Sequence, residues 1–269
     1  MKNLKPVCRN GSTTVHLSMR ELLKMPLRLL VPPGVRGWMK RKMLGEKYTP
    51  GIGSLRFGDL RRVTPICPDF GHGRGGAIDR VYVENFLDAN RADIRGKVLE
   101  IGDRVYTQRF GGDRVTQSDV LHAVAGNPAA TIVGDLQTGE NVPVGEYDCM
   151  IVTQAIHVIF DFRAALRHCL RTLKPGGVLL MTTPGITQIS MPDYRAAWGD
   201  HWRFTPLAVK RMLGELLPEN CYTTREYGNV LVAISFLHGL SSDELTPEEF
   251  NYYDPEFTMI IGARAVQPG

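Results

Sequence analysis

The chain has 269 residues, 43% of them hydrophobic and 22% charged, enough to bury the core of one α/β domain with extensions. No apolar run approaches the roughly 18 residues of a membrane span, and the start lacks the apolar core and cleavage site of a secretory leader, so a cytoplasmic protein is expected. Five cysteines without a Cys-x-x-Cys pair argue against a disulfide framework and a structural zinc site, and the net charge of +4 is unevenly spread.

Residues 1–50 hold eleven Lys and Arg against Glu21 and Glu46, a net of +9 that leaves −5 for the rest of the chain. Within them, Leu17, Leu22, Leu23, Leu27 and Leu30 alternate with Arg20, Lys24 and Arg28 as an amphipathic candidate, weakened by Pro26. Pro32-Pro33-Gly34 breaks the segment, and Trp38 with Lys40-Arg41-Lys42 follows. Such a segment reads either as contact with an anionic surface or acidic acceptor, or as a solvated face on an amino-terminal cap. Nucleic acid is not expected, because no aromatic-basic motif accompanies the charge and the remainder is acidic.

Residues 48–76 are loop-rich and end in Gly71-His72-Gly73-Arg74-Gly75-Gly76. The Gly-Lys-Ser/Thr ending of a phosphate loop is absent, which leaves a mobile segment over a site mouth or a plain surface loop. The extension is taken as residues 1–76 and the main domain as 77–269. Ile78, Val81, Tyr82, Phe86 and Leu87 recur at helical spacing, so residues 78–90 form a helix leading into the first strand.

That strand is the centre of the reading. Val98-Leu99-Glu100-Ile101-Gly102-Asp103 is an apolar strand with an acid at its end and a glycine two positions later, the form of a strand entering a ligand-binding turn. Residues 114–119 and 130–134 give two more strands, each read as ending in an acid, Asp119 and then Asp135. Strand four is 147–153, a helix with one basic side is 162–173, and Lys174-Pro175-Gly176-Gly177 turns into strand five at 178–183. Thr205-Pro206 caps a helix to about residue 217, residues 222–227 and 257–265 are the last two strands, and Thr246-Pro247-Glu248-Glu249 caps another helix between them.

The run from Val98 to Gly102, Asp135-Leu136, the strand from Tyr147 to Val152 and above all Leu173-Lys174-Pro175-Gly176-Gly177 resemble the class I S-adenosylmethionine-dependent methyltransferases, in particular the type-11 methyltransferase domain family. The resemblance covers residues 80–213 well. It implies a Rossmann-like, doubly wound, seven-stranded, mostly parallel sheet of order 3-2-1-4-5-7-6 with an antiparallel last strand. It implies S-adenosylmethionine as cofactor and a small-molecule or glycan acceptor, leaving the oligomeric state open. The family usually carries Gly-x-Gly-x-Gly after the acid, where this chain has Arg104 and Tyr106, so the loop is either remodelled around the cofactor or has lost it.

On that resemblance Asp119 takes the ribose hydroxyls, Asp135 the adenine amino group with Leu136 against the ring, and Glu100, Gly102 and Gln154 hold the amino-acid end; Arg80 and Tyr82 are secondary candidates. For each acid the alternative is a helix cap or a surface turn. An acceptor hydroxyl needs a base, and histidine suits neutral pH. Of seven histidines, His157 follows strand four and His201 lies in Trp198-Gly199-Asp200-His201-Trp202-Arg203-Phe204, whose aromatic and charged mixture suits an acceptor pocket; the others lack such context, apart from His72 in the glycine-rich loop. No cluster has metal-ligand spacing. The expected activity is O-methylation of a sugar or small molecule in glycan or secondary-metabolite biosynthesis, with N- or C-methylation, or a non-catalytic relative, as alternatives.

Overall fold

In the computed structural model, which describes residues 33–44 and 49–269, seven strands hydrogen-bond into one sheet. They are β1 (Gly96–Ile101), β2 (Val115–His122), β3 (Ile132–Val133), β4 (Tyr147–Thr153), β5 (Leu173–Pro184), β6 (Tyr222–Tyr227) and β7 (Ile260–Val266). Their order is β3-β2-β1-β4-β5-β7-β6; the first five run parallel and β7 lies antiparallel between β5 and β6. This is the topology implied by the resemblance.

The central strands read as unbroken apolar runs because both faces are covered. On one face, Leu99, Met150, Val152, Leu179 and Met181 pack with Leu166, Cys169 and Leu170 of α3 (Phe162–Arg171) and with Val209, Met212 and Leu213 of α5 (Pro206–Gly214). On the other, Val98, Cys149, Ile151, Val178 and Leu180 lie with Val83, Phe86 and Leu87 of α2 (Ile78–Ala89). Burial of each such side chain stabilises the fold by about 1.5–3 kcal/mol. Val232 and Phe236 of α6 (Val230–His238) join Ile78, Tyr82 and Met259 in a third cluster. Gly262 of β7 lets the Phe86 ring lie where a Cβ would project.

Helix starts follow the sequence. Asp161 Oδ1 accepts from Ala164 N at 2.9 Å at the start of α3, and Thr205 Oγ1 accepts from Ala208 N at 3.2 Å with Pro206 in the first turn of α5. Thr246 and Glu249 cap α7 (Pro247–Asn251) reciprocally. Two boundaries differ from the sequence reading in ways that matter. The second strand continues three residues beyond Asp119 to His122, because Val120 and Leu121 are buried. The fifth begins at Leu173 and carries the Pro-Gly-Gly turn inside it.

The chain divides into two units, Met1–Arg61 and Arg62–Gly269. Of the first, α1 (Pro33–Leu44) is described, with Trp38 and Met43 exposed and Lys42 Nζ 5.2 Å from the Trp38 ring. The amphipathic candidate at 15–30 lies outside the described residues. In the second unit, Gly71, Gly75 and Gly76 approach Leu240, Ser241 and Ser242 too closely for a side chain, and Arg74 pairs with Glu244 at 2.7 Å. Among the described residues no helix is long and apolar enough to cross a membrane.

Candidate active site

Sheet order reverses about β1 and β4, and a ligand of such a sheet sits outside the carboxyl ends of the strands at that reversal. There β1 ends in Ile101, and Gly102 follows with a φ of +87°, in the left-handed region; a Cβ built on Gly102 meets nothing within 4 Å. Glycine is needed here for its backbone and leaves open space beside it.

Beyond the end of β4 is a cavity of about 460 Å3. Gln154, held at φ +48° with its N–H donating to Thr182 O at 3.0 Å, lines it together with His157, Asp79 and Arg80. Phe70 and His72 of the glycine-rich segment line it too, as do Tyr194 and Arg203. His157 is 8% exposed, and its Nδ1 is buried without a hydrogen-bond partner. Burial pushes its pKa down to about 4; Asp200 opposes that shift, while Arg203 and Arg80 add to it. The imidazole is therefore neutral at physiological pH. Its backbone carbonyl accepts from His201 N at 3.0 Å and Trp202 N at 3.1 Å, tying the β4 turn to the segment after β5.

Arg80 and Tyr82 are two residues apart on α2, so they point about 200° apart around the axis. Arg80 faces the cavity, lies 3.8 Å from Asp79 and interacts electrostatically with the Tyr106 side chain. Tyr82 is 1% exposed, stacks on Tyr227 and donates to Phe250 O at 3.2 Å. It packs in the core and does not line the cavity.

The acids are differently employed from the sequence reading. Glu100 is 2% exposed; its carboxylate accepts from Thr107 N at 2.7 Å, Thr107 Oγ1 at 2.6 Å and Tyr106 N at 3.2 Å. Burial raises its pKa to about 7 against those hydrogen bonds. It organises the loop after Gly102 rather than opening into the cavity. Asp119 does not stand at a strand end. In register with Leu99, it points its carboxylate to the Tyr147 hydroxyl at 3.0 Å and Thr131 Oγ1 at 3.1 Å, 4.0 Å from Lys97 Nζ. Asp135 does follow β3, but accepts from Gln137 N at 2.7 Å and Thr138 Oγ1 at 3.3 Å within its own turn. Leu136 is 5% exposed and packs in the core, with its carbonyl held by His168 Nδ1.

Of the segment after β5, Met191, Asp193, Tyr194 and Arg203 line the cavity. His201 does not; it is exposed, edge-on to Phe160 at 5.4 Å. Trp202 packs on Phe162 and donates to Phe160 O at 3.1 Å, holding the segment to the fold. Arg104 reaches away to Ala129 O at 3.2 Å and Tyr106 turns to Arg80 and Phe110; neither lines the cavity. Asp79 and Ser190 are cavity residues that sequence reasoning missed. Asp79 carried a signal, standing beside Arg80 at the start of the helix before strand one. Among the described residues no group of three or more His, Cys, Asp or Glu is arranged for a metal.

Residues 63–219 match the family described as a methyltransferase domain. Among solved structures, the YcgJ protein of Bacillus subtilis is similar over 70% of this chain and 99% of its own, at 13% identity and a TM-score of 0.44. The N-methyltransferase NodS from Bradyrhizobium japonicum, in complex with S-adenosyl-L-homocysteine, is similar over 76% and 94%, at 13% identity and 0.46. A SAM-dependent methyltransferase from Archaeoglobus fulgidus is similar over 70% and 94%, at 12% identity and 0.45. No curated protein matches the chain.

Proposed function

We propose that this chain, which belongs to the methyltransferase domain family, methylates a hydroxyl oxygen of a small molecule or sugar, with His157 as the base. It is an S-adenosylmethionine-dependent enzyme; the identity of the acceptor atom is the further step. Bound, the cofactor supplies a methyl group already activated by its sulfonium. The cavity residues fit its amino-acid end: Arg80 is a fixed cation for a carboxylate, and Asp79 and Gln154 offer acceptors to an ammonium. Gly102, at the end of β1, leaves open space beside its own backbone.

The observation that carries the oxygen reading is His157. A neutral imidazole with a buried, unpartnered Nδ1 lines the same cavity as Gln154 and Arg80. An alcohol must lose its proton as the oxygen is methylated, and such a ring takes that proton without first having to be deprotonated. Tyr194, Gln188, Ser190 and Asp193 surround it with the donors and acceptors that a polyol requires, as in a glycan or secondary-metabolite intermediate. Exposed Trp38, Lys40 and Lys42 on α1 would bring the enzyme to an anionic surface or acceptor.

A second reading is favoured by the three carboxylates Asp69, Asp79 and Asp193 that line the cavity. They would suit an amine, which needs no buried base once neutral. Methyl-labelled S-adenosylmethionine, supplied with pooled monosaccharides and glycan fragments, separates the two. Label on oxygen, with turnover falling about 10²–10⁴-fold in His157→Ala while S-adenosylhomocysteine affinity holds, supports oxygen transfer. Label on nitrogen, or undiminished turnover in that variant, overturns it.

A further inference from the structure

Charge is not balanced around the cavity beyond β4. Its two arginines each lie against an acid: Arg80 Nε is 3.8 Å from Asp79 Oδ2, and Arg203 Nη2 donates to Asp200 Oδ2 at 2.9 Å. Asp69 and Asp193 line it too, and both are exposed. Among the described residues, neither of these carboxylates has a hydrogen-bond or ion-pair partner. Two negative charges are left over at the cavity mouth.

The two acids come from separate segments that the fold seats firmly. Asp69 opens a turn in which His72 N donates to Asp69 O at 2.8 Å, with Phe70 at φ +50° and Gly71 at φ +90°. The Phe70 ring lies 5.8 Å from that of Phe236, a core residue of α6. Asp193 stands in the first turn of α4 (Pro192–Trp198), whose last residue, Trp198, meets His122 at the end of β2 edge to face at 5.1 Å. Gln188 Nε2 donates to Pro68 O at 2.8 Å and joins the two segments.

A cleft lined by one sign of charge concentrates ligands of the other sign. Phe70 and Tyr194 line the cavity beside the two acids, and aromatic rings also attract an ammonium. Further in, His157 lines the same cavity, 8% exposed and with its Nδ1 unpartnered. The cavity therefore offers a place for a cation at its mouth and a place for a hydroxyl at its buried end.

We propose that the acceptor is an alcohol that also carries an ammonium group, held by Asp69 and Asp193 while its hydroxyl faces His157. This rests on the oxygen-transfer reading and narrows the acceptor from any polyol to an amino alcohol or amino sugar. The hydroxyl oxygen bonds the methyl carbon as the carbon–sulfur bond breaks, its electrons staying on sulfur, and the hydroxyl proton passes to His157. The ammonium is unchanged. Nearby carboxylates favour its charged form, which has no lone pair for the methyl group, so the same two acids select the substrate and keep its nitrogen out of the reaction.

Serinol and glycerol differ only by an ammonium in place of the central hydroxyl, so the pair probes the charge alone. Titrated into the protein loaded with S-adenosylhomocysteine and followed by NMR, serinol should bind about tenfold tighter than glycerol. Asp69→Asn combined with Asp193→Asn should bring serinol down to the level of glycerol, and so should salt at about 1 M in the wild type. Should the double variant fail to fold, the salt dependence carries the test. Equal wild-type affinities, no binding of serinol, or an advantage that survives both the substitutions and the salt, overturns the proposal. Methyl-labelled S-adenosylmethionine supplied with glucosamine and with glucose separates this from the reading beneath it. Label on oxygen with no preference for glucosamine overturns the ammonium site and leaves oxygen transfer standing, whereas label on the glucosamine nitrogen overturns both.

Discussion

The Tyr147 hydroxyl donates to Asp119 Oδ2 across 3.0 Å, joining the middle of β2 to the start of β4. Gln117 Nε2 at 2.8 Å and Thr131 Oγ1 at 3.1 Å complete the carboxylate's shell. Lys97 Nζ lies 4.6 Å from the centre of the Tyr147 ring, so the group is a small polar network on the strand's amino side.

This network gives Asp119 a structural role. Asp119→Ala should lower unfolding stability by about 1–3 kcal/mol, because it leaves the buried Tyr147 hydroxyl unpaired. S-adenosylhomocysteine affinity of the folded variant should match the wild type. A loss of affinity at unchanged stability would put Asp119 back in the site.

The sheet was legible because its signals are redundant. The apolar runs of β1, β4 and β5, the Pro-Gly-Gly turn and the Thr-Pro caps each specify one element, and order follows from the family. Strand ends were less legible. Ending β2 at its first acid was wrong because Val120-Leu121 extends the buried run, and a carboxylate in mid-strand is tolerated when a tyrosine and a threonine hydroxyl bind it. Which of Arg80 and Tyr82 faces the cavity depends on helix phase, and which tryptophan reaches the sheet edge depends on a chain path that spacing alone does not fix.

Arg80 can be separated from the nucleoside contacts. Arg80→Met keeps much of the side chain's length and removes its charge. It should weaken S-adenosylhomocysteine by about 1.5–3 kcal/mol, the scale of a hydrogen bond to a charged group, and leave 5′-methylthioadenosine unaffected. Equal losses for both ligands would show that Arg80 acts by shaping the Tyr106 loop instead.

Two glycines should respond differently to alanine. Gly102 has φ +87° but free space, so Gly102→Ala bears the left-handed backbone penalty of roughly 1–2 kcal/mol. Gly239 has φ +70° and would drive its Cβ into the Cys67 carbonyl, so Gly239→Ala should cost more. Urea midpoints at a common slope rank them; a Gly102 variant less stable than the Gly239 variant contradicts the ranking.

The two buried titrating groups pull stability in opposite directions with pH. His157 falls from an ordinary 6.5 to about 4 by burial, so the unfolded chain binds its proton first. Its contribution is fully present above pH 6.5 and is lost as pH falls toward 4. Glu100 rises from 4.5 to about 7, again by burial, so its contribution is present below pH 4.5 and is lost as pH rises through 7. Each shift corresponds to about 3 kcal/mol, and the windows overlap between the two ordinary values. The wild type should therefore show a shallow profile there. In His157→Gln the Glu100 effect stands alone and stability should decline from pH 4.5 to 7; in Glu100→Gln it should climb from pH 4 to 6.5. Urea unfolding at pH 4.5, 5.5, 6.5 and 7.5 reads both slopes, and parallel profiles in the two variants would mean that neither group is desolvated as the structure has it.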